Sequence, residues 1–176
     1  MIALGLGSNL DTLGRTREQN IAHAIELLDQ HPQIKVKQIS SLYETEPVGL
    51  KEQPNFLNAA VSIMTSLAPE ELLNVCLDIE KQMGRIREVR WGPRNIDIDL
   101  LVYDDIQIIT NTLELPHPRV PERRFVLIPL REIAGNEPVY KGLTVDELLR
   151  KTPDHTAITF YGPLNFSGQR NADGPQ

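Results

Sequence analysis

Two aspartates, Asp97 and Asp99, interrupt an apolar run in the segment WGPRNIDIDLLVYDD, residues 91–105. Side chains alternate along a strand, so both carboxylates fall on one face, about 7 Å apart at the backbone. Like charges placed this way repel. A magnesium ion, or a pair about 4 Å apart, would relieve the repulsion, because hard cations prefer carboxylate oxygens. The plain alternative is a solvent-facing strand with two incidental acids, and a bare D-x-D favours it. The neighbours change the balance. Arg94 stands three residues before Asp97, and Trp91-Gly92-Pro93 makes a rigid turn carrying a large aromatic. Between Lys81 and Arg94 there are five basic residues (Lys81, Arg85, Arg87, Arg90, Arg94) against one acid, Glu88. Arginine forks bind phosphate oxygens, and magnesium bridges carboxylate to phosphate. Cations, carboxylates and an aromatic side by side therefore suit a polyphosphate attached to a ring system.

Other chemistries lack their residues. No G-x-x-x-x-G-K-[ST] occurs, and in GLGSNL the residue Leu10 stands where a dinucleotide fingerprint needs its third glycine, so Gly5, Gly7, Ser8 and Asn9 read as a tight strand-end turn. There is no H-E-x-x-H, no cysteine–histidine cluster and no G-x-S-x-G. His117, between two prolines, could touch a phosphate; alone, such a histidine is more often a structural loop residue. The net charge of −6 argues against a nucleic-acid backbone as a partner. Cys76, the single cysteine, excludes an intrachain disulfide and lies in a helical apolar stripe, which fits core packing and a reducing compartment. No secretory signal and no membrane-spanning apolar run are visible. The expectation is a cytoplasmic protein without membrane or nucleic-acid partners, and a monomer.

The elements that must position these residues follow from periodicity. MIALGLGS reads as a buried strand closed by a glycine turn, and residues 15–30 as a helix with Ile21, Ala24, Ile25 and Leu28 on one face. IKVKQIS alternates and reads as a half-buried strand running to about Tyr43; ETEPVGLKEQP is a loop, and FLNAAVSIMTS is a strand. The next helix opens on Pro69 with Glu70 and Glu71 at its positive end, buries Leu72, Cys76, Ile79 and Met83, and stops at Gly84. In the strand that follows, Ile96, Ile98, Leu100 and Val102 should face the core, with Asp97, Asp99, Leu101 and Tyr103 on the other side. IQIIT should pair back onto that strand, residues 122–134 should form a helix kinked or broken at Pro129, and TVDELLRK a short helix. The order strand, helix, two strands, helix, strand predicts an α+β, ferredoxin-like sandwich: a mainly antiparallel sheet with two helices packed on one face. One domain over 1–160 and a polar, disordered tail over 161–176 are expected.

RWGPRNIDIDLL resembles the signature of 6-hydroxymethyl-7,8-dihydropterin pyrophosphokinase, a family of folate biosynthesis. The likeness runs in order through GLGSNL, SSLYETEPVG, QPNFLNAAV, LAPEELL, IEKQMGRIR and LPHPRVPERRFVLIPL, roughly residues 1 to 150. It implies the same ferredoxin-like fold and transfer of a pyrophosphoryl unit from ATP to the hydroxymethyl oxygen of a reduced pterin, releasing AMP. By resemblance, Asp97 and Asp99 hold two magnesium ions. Phe56 and Phe125 sandwich the pterin, Thr45 and Asn58 give it polar contacts, Val48 lines the slot and Trp91 closes over it. Arg85, Arg94, His117 and Arg123 serve the triphosphate, and Glu80 lies at the site's edge. Glu46 stands where the family often has proline and Phe56 where it often has tyrosine, and the Arg87–Trp91 stretch is one residue shorter than in some relatives. Asn58 also speaks from its own chemistry: an asparagine inside a strand needs a partner for its amide, which a pterin edge supplies. With no dedicated base in view, positioning and charge neutralisation at Arg85, Arg94, Asp97 and Asp99 would carry catalysis. Two other readings compete: a metal-dependent phosphodiesterase or nuclease, and a nonenzymatic ferredoxin-like binding module.

Overall fold

The computed structural model describes residues 1–12, 14–47, 49, 52–84 and 94–166. In chain order these form β1 (Ile2–Ser8), α1 (Arg17–Gln30), β2 (Ile34–Ile39), β3 (Leu42–Thr45), β4 (Phe56–Thr65), α2 (Pro69–Gln82), β5 (Asp97–Tyr103), β6 (Ile108–Ile109) and β7 (Glu114–Leu115). A 3₁₀ turn (Val120–Glu122) leads into α3 (Arg124–Ala134), followed by β8 (Pro138–Tyr140), β9 (Leu143–Thr144), α4 (Val145–Lys151) and β10 (Ile158–Gly162).

The main sheet runs β10-β3-β4-β1-β5, with β2 also on β4, and every pairing is antiparallel. Its centre, β2/β3-β4-β1-β5, is the expected ferredoxin-like order. The strand expected from Ile34 to Tyr43 is two strands. They break at Ser40, whose hydroxyl accepts the Ala60 N–H at 2.8 Å while its own N–H donates to the Ala60 carbonyl at 2.9 Å. A side chain thus takes the place of a ladder carbonyl, and the chain changes direction without leaving β4.

Local chemistry sets the helices. Thr16 and Gln19 close a reciprocal capping box on α1, and Ile21, Ala24, Ile25 and Leu28 are fully buried as their spacing predicts. Pro69 occupies the first turn of α2, and Gly84, at φ 79°, follows its end. Leu72, Cys76, Ile79 and Met83 form the expected buried stripe. Burial, then the charges of Glu80 and Asp99, pushes the Cys76 thiol up to about 12, so it stays a protonated core group.

Helices cover both faces of the sheet, where the sequence predicted one. Helices α1 and α2 pack with Leu4, Leu6, Leu57, Val61, Ile98 and Leu100, while α3 and α4 pack on the other face with Ala3, Ala60, Leu101 and Val102. Helix α3 has the amphipathic stripe this needs, burying Leu127, Leu130 and Ile133. Pro129 is buried inside α3 and does not break it. The β6 strand pairs forward with β7, not back onto β5, because the turn closes between Thr110 and Leu113. The sheet also continues past residue 160: Tyr161 and Gly162 belong to β10, and Leu164 is buried in the first core. Residues 167–176 of the expected tail lie outside the described residues.

Candidate active site

The sequence GLGS does not turn. Gly5, Gly7 and Ser8 lie within β1 and are paired to β4, and Gly5 and Gly7 to β5 as well. Leu4 and Leu6 face α1 and α2, so Gly5 and Gly7 face the other way. Opposite them stand Asp99 and Asp97 on β5, and Ala60 and Asn58 on β4. The glycines leave the middle of this face without side chains. A Cβ on Gly7 would sit 3.3 Å from Asn58 Oδ1 and 3.8 Å from the Phe56 ring, and one on Gly5 would sit 3.3 Å from Leu101. The result is a cleft of about 110 Å³ whose walls include Thr45, Phe56, Asn58, Arg94, Asp97, Asp99, Arg123 and Phe125. Two inter-strand spacings, about 10 Å, separate the backbone of Asn58 from that of Asp97. Aromatic and amide side chains at one end and charged groups at the other thus line one continuous cleft.

Strand β5 changes phase halfway. Gly5 pairs with Asp99 and Leu4 with Leu100, but Ala3 pairs with Val102, leaving Leu101 as an extra, bulged residue. Alternation before the bulge is as predicted, with Asp97 and Asp99 in the cleft and Ile98 and Leu100 in the core. After it the sides swap. Val102 packs under α3, and Tyr103 turns to the other core, where its hydroxyl donates to the Leu67 carbonyl. The Leu101 carbonyl receives the His117 N–H at 2.9 Å, so the bulge also anchors the histidine.

Each charged group is held. Arg94 Nη1 donates to Asp97 Oδ2 at 3.0 Å. The Arg94 backbone is clamped by Asn9, whose Oδ1 accepts the Arg94 N–H at 2.8 Å while its own N–H donates to the Arg94 carbonyl at 3.0 Å. The Asn9 amide also donates to Gln53 and to the Pro54 carbonyl. Asn95 donates to the Met83 carbonyl at 2.6 Å, joining the end of α2 to the entry of β5. Glu80 is buried on α2 and absent from the cleft wall; its Oε2 accepts the N–H of Ile98, the residue between the two aspartates, at 3.0 Å. Its place is thus behind the carboxylate pair.

Arg123 and Phe125 flank the start of α3, and the Arg123 guanidinium lies over the Phe125 ring, 5.4 Å from its centroid. Burial, then repulsion from Arg119, lowers the Arg123 pKa against the pull of Asp99 and Asp97, yet a guanidinium stays charged. Burial also lowers His117, helped by Arg123 and Arg119, while Asp97 opposes. His117 Nδ1 accepts the Arg119 N–H at 3.1 Å, which fixes the neutral tautomer with its proton on Nε2. At the opposite end, Asn58 Nδ2 donates to Thr45 Oγ1 at 2.9 Å, inside the fold. Among the described residues no partner takes the Thr45 hydroxyl hydrogen, the second Asn58 N–H or the Asn58 carbonyl oxygen, and both residues line the cleft.

Of the residues singled out from sequence, Thr45, Phe56, Asn58, Arg94, Asp97, Asp99, Arg123 and Phe125 therefore meet in one cleft. Val48, Arg85 and Trp91 lie outside the described residues. Sequence reasoning missed the clamp role of Asn9, and also Glu46 and Val126, which line the same cleft; Leu101 lines it too, on the face that alternation predicted. An asparagine directly after a buried strand was the one signal for Asn9. Among the described residues no group of three or more His, Cys, Asp or Glu side chains could hold a metal. Two carboxylates fit magnesium, a hard ion that keeps several waters and takes phosphate oxygens as its other ligands.

The ferredoxin-like sandwich thus gathers paired acids, two arginines and two phenylalanines in one cleft, an arrangement that suits phosphoryl or pyrophosphoryl transfer. The comparisons narrow this: the family model described as 7,8-dihydro-6-hydroxymethylpterin-pyrophosphokinase matches residues 3–135, and the chain belongs to that family. A Bacillus subtilis 2-amino-4-hydroxy-6-hydroxymethyldihydropteridine pyrophosphokinase is 50% identical over 130 residues, 74% of this chain and 75% of that one. The enzyme of the same name from Methylorubrum extorquens is 50% identical over 148 residues, covering 84% and 90%. Among solved structures, a Plasmodium falciparum HPPK-DHPS with pteroate superposes with a TM-score of 0.59 at 17% identity, over 85% of this chain and 42% of that one, a likeness of fold.

Proposed function

We propose that this cleft transfers the β,γ-pyrophosphoryl group of ATP to the hydroxymethyl oxygen of 6-hydroxymethyl-7,8-dihydropterin, giving AMP and the pterin diphosphate. Besides the family, the observation that carries the reading is the Asn58–Thr45 pair beside Phe56, with Asn58 about two strand spacings from Asp97 across the side-chain-free Gly7.

The flat ring lies between Phe56 and Phe125, and Asn58 and Thr45 read its polar edge. This points the hydroxymethyl group at the charged end. Arg94, Arg123 and the Nε2–H of His117 hold the triphosphate, with Arg85 and Trp91 completing the set. Asp97 and Asp99 would hold two magnesium ions, which supply charge neutralisation and Lewis acidity toward the phosphate oxygens. The pterin oxygen bonds to the β-phosphorus as the bridge from α- to β-phosphate breaks. The hydroxyl proton is lost to solvent or phosphate, and the arginines stabilise the charge on departing AMP. The chain's own contribution is orientation and fixed positive charge, with no dedicated general base. The same reading takes the protein to act as a cytoplasmic monomer.

The test is AMP release from ATP and magnesium with and without the reduced pterin. Release should require the pterin and match pterin diphosphate one to one. Equal release without pterin would mean that water is the acceptor and would sink the reading.

A further inference from the structure

Helix α3 carries Arg123 and Phe125 at its start, yet the side chain of its N-cap residue, Arg123, makes no capping bond. The cap comes from thirty residues further on. Arg124 N–H donates to Asp154 Oδ2 at 2.8 Å. Asp154 Oδ1 is engaged as well, accepting the Thr156 N–H at 2.8 Å and the Thr156 hydroxyl at 2.5 Å. Arg124 Nη1 closes the ring on the Thr156 carbonyl at 2.9 Å. Burial would raise the Asp154 carboxyl, but the bonds from Thr156 and Arg124 outweigh it and hold the group below its ordinary value, ionised.

Two residues beyond Thr156 the same segment enters β10, where Ile158 pairs with Thr45. The stretch from Asp154 to Ile158 is thus fixed at one end to the helix carrying Phe125 and Arg123 and at the other to the strand carrying Thr45. Thr45, Arg123 and Phe125 all line the cleft. The segment lies wholly beyond residues 3–135, the part matched by the family model.

We propose that Asp154 is a positioning residue for the reaction: by capping α3 from a strap that also pairs with β3, it sets the separation of Phe125 from Thr45 and so the grip on the pterin ring. The inference rests on the pterin reading of the slot. Asp154 touches no substrate; it acts through Arg124 and the helix start.

Asp154→Ala, Asp154→Asn and the wild type should be compared by steady-state kinetics with the reduced pterin and ATP. Asp154→Ala should raise the pterin KM about fivefold, the size of one lost helix cap, with kcat within about twofold. Asp154→Asn, which keeps an acceptor oxygen for Arg124 N–H, should recover most of that loss. In a Phe125→Ala background, Asp154→Ala should change the pterin KM by less than about twofold, because the wall it places is gone. If Asp154→Ala does not fold, Thr156→Val removes one bond to the carboxylate and should shift the pterin KM the same way by about twofold. An unchanged pterin KM, with rates reduced only by the unfolded fraction, would make Asp154 a structural staple and overturn the inference. So would full additivity with Phe125→Ala. A wild type without pterin-dependent AMP release would overturn the functional reading and this inference together; an active wild type with unmoved KM values overturns this one alone.

Discussion

The two faces of strand β1 are built from opposite materials. Toward α1 and α2 it presents Leu4 and Leu6, buried to within 3% exposure in a continuous apolar core. Toward α3 it presents Gly5 and Gly7, and there the core gives way to a cleft bordered by acids, arginines and two phenylalanines. Both faces are covered by helices, so the cleft does not come from a missing layer. It comes from deleting side chains in the middle strand while keeping them on either side. One face stores stability, and the other forgoes some to leave room for a ligand.

Substitutions on the two faces should therefore separate folding from function. The largest effect is expected at the acids. Asp97→Ala or Asp99→Ala should reduce pyrophosphoryl transfer by roughly 10³-fold, since charge neutralisation at the phosphates is worth several kcal/mol, while the melting temperature stays near that of the wild type. Near-normal turnover in either variant would break the contrast at its centre. On the packed face, Leu4→Ala should cost about 2–5 kcal/mol in denaturant unfolding, from lost burial plus a cavity, and leave the KM values of the folded protein unchanged.

The glycines sharpen the comparison. Gly7→Ala places a methyl group against Asn58 Oδ1, a hydrogen-bonded amide that cannot yield without losing its bond to Thr45. Its pterin KM should rise about tenfold, on the order of one displaced hydrogen bond. Gly5→Ala meets only the end of the Leu101 side chain, which can rotate, and should change KM by about twofold or less. Equal effects at the two positions would show that the cleft floor is not differentiated as described.

The smallest effect expected is a pH dependence. His117 has a lowered pKa in the fold, so below its ordinary value near 6.5 the unfolded chain takes up a proton before the folded one. Stability should be independent of this group above that pH and fall as pH drops from there toward the folded pKa. His117→Gln should flatten that part of a melting-temperature profile, and an unchanged slope would show that the histidine is not held neutral.

Much of this was legible in the residues. The stripes of α1 and α2 are periodic and apolar, and each lands buried because helix period and core direction agree. The D-x-D face was readable up to Leu100 for the same reason. Beyond it, strict alternation gave the wrong side for Val102 and Tyr103, since a bulge inserts one residue and nothing in IDIDLLVY marks which. GLGS read as a turn because glycine so often marks one; its place in a central strand depends on neighbours on both sides. Helix α3 was visible, but not that it covers the second face, nor that its cap would arrive from Asp154.

By itself the sequence determined which side chains could do chemistry and which elements would carry them, because charge, hydrogen-bonding capacity and apolar periodicity are properties of residues and their near neighbours. Only the tertiary structure decided where Asp97 stands relative to Asn58, which glycines become the floor between them, and which distant residues clamp Arg94 and α3. Those relations are set by strand register and by hydrogen bonds between residues far apart in the chain, whose free energy exists only once the whole sheet has closed.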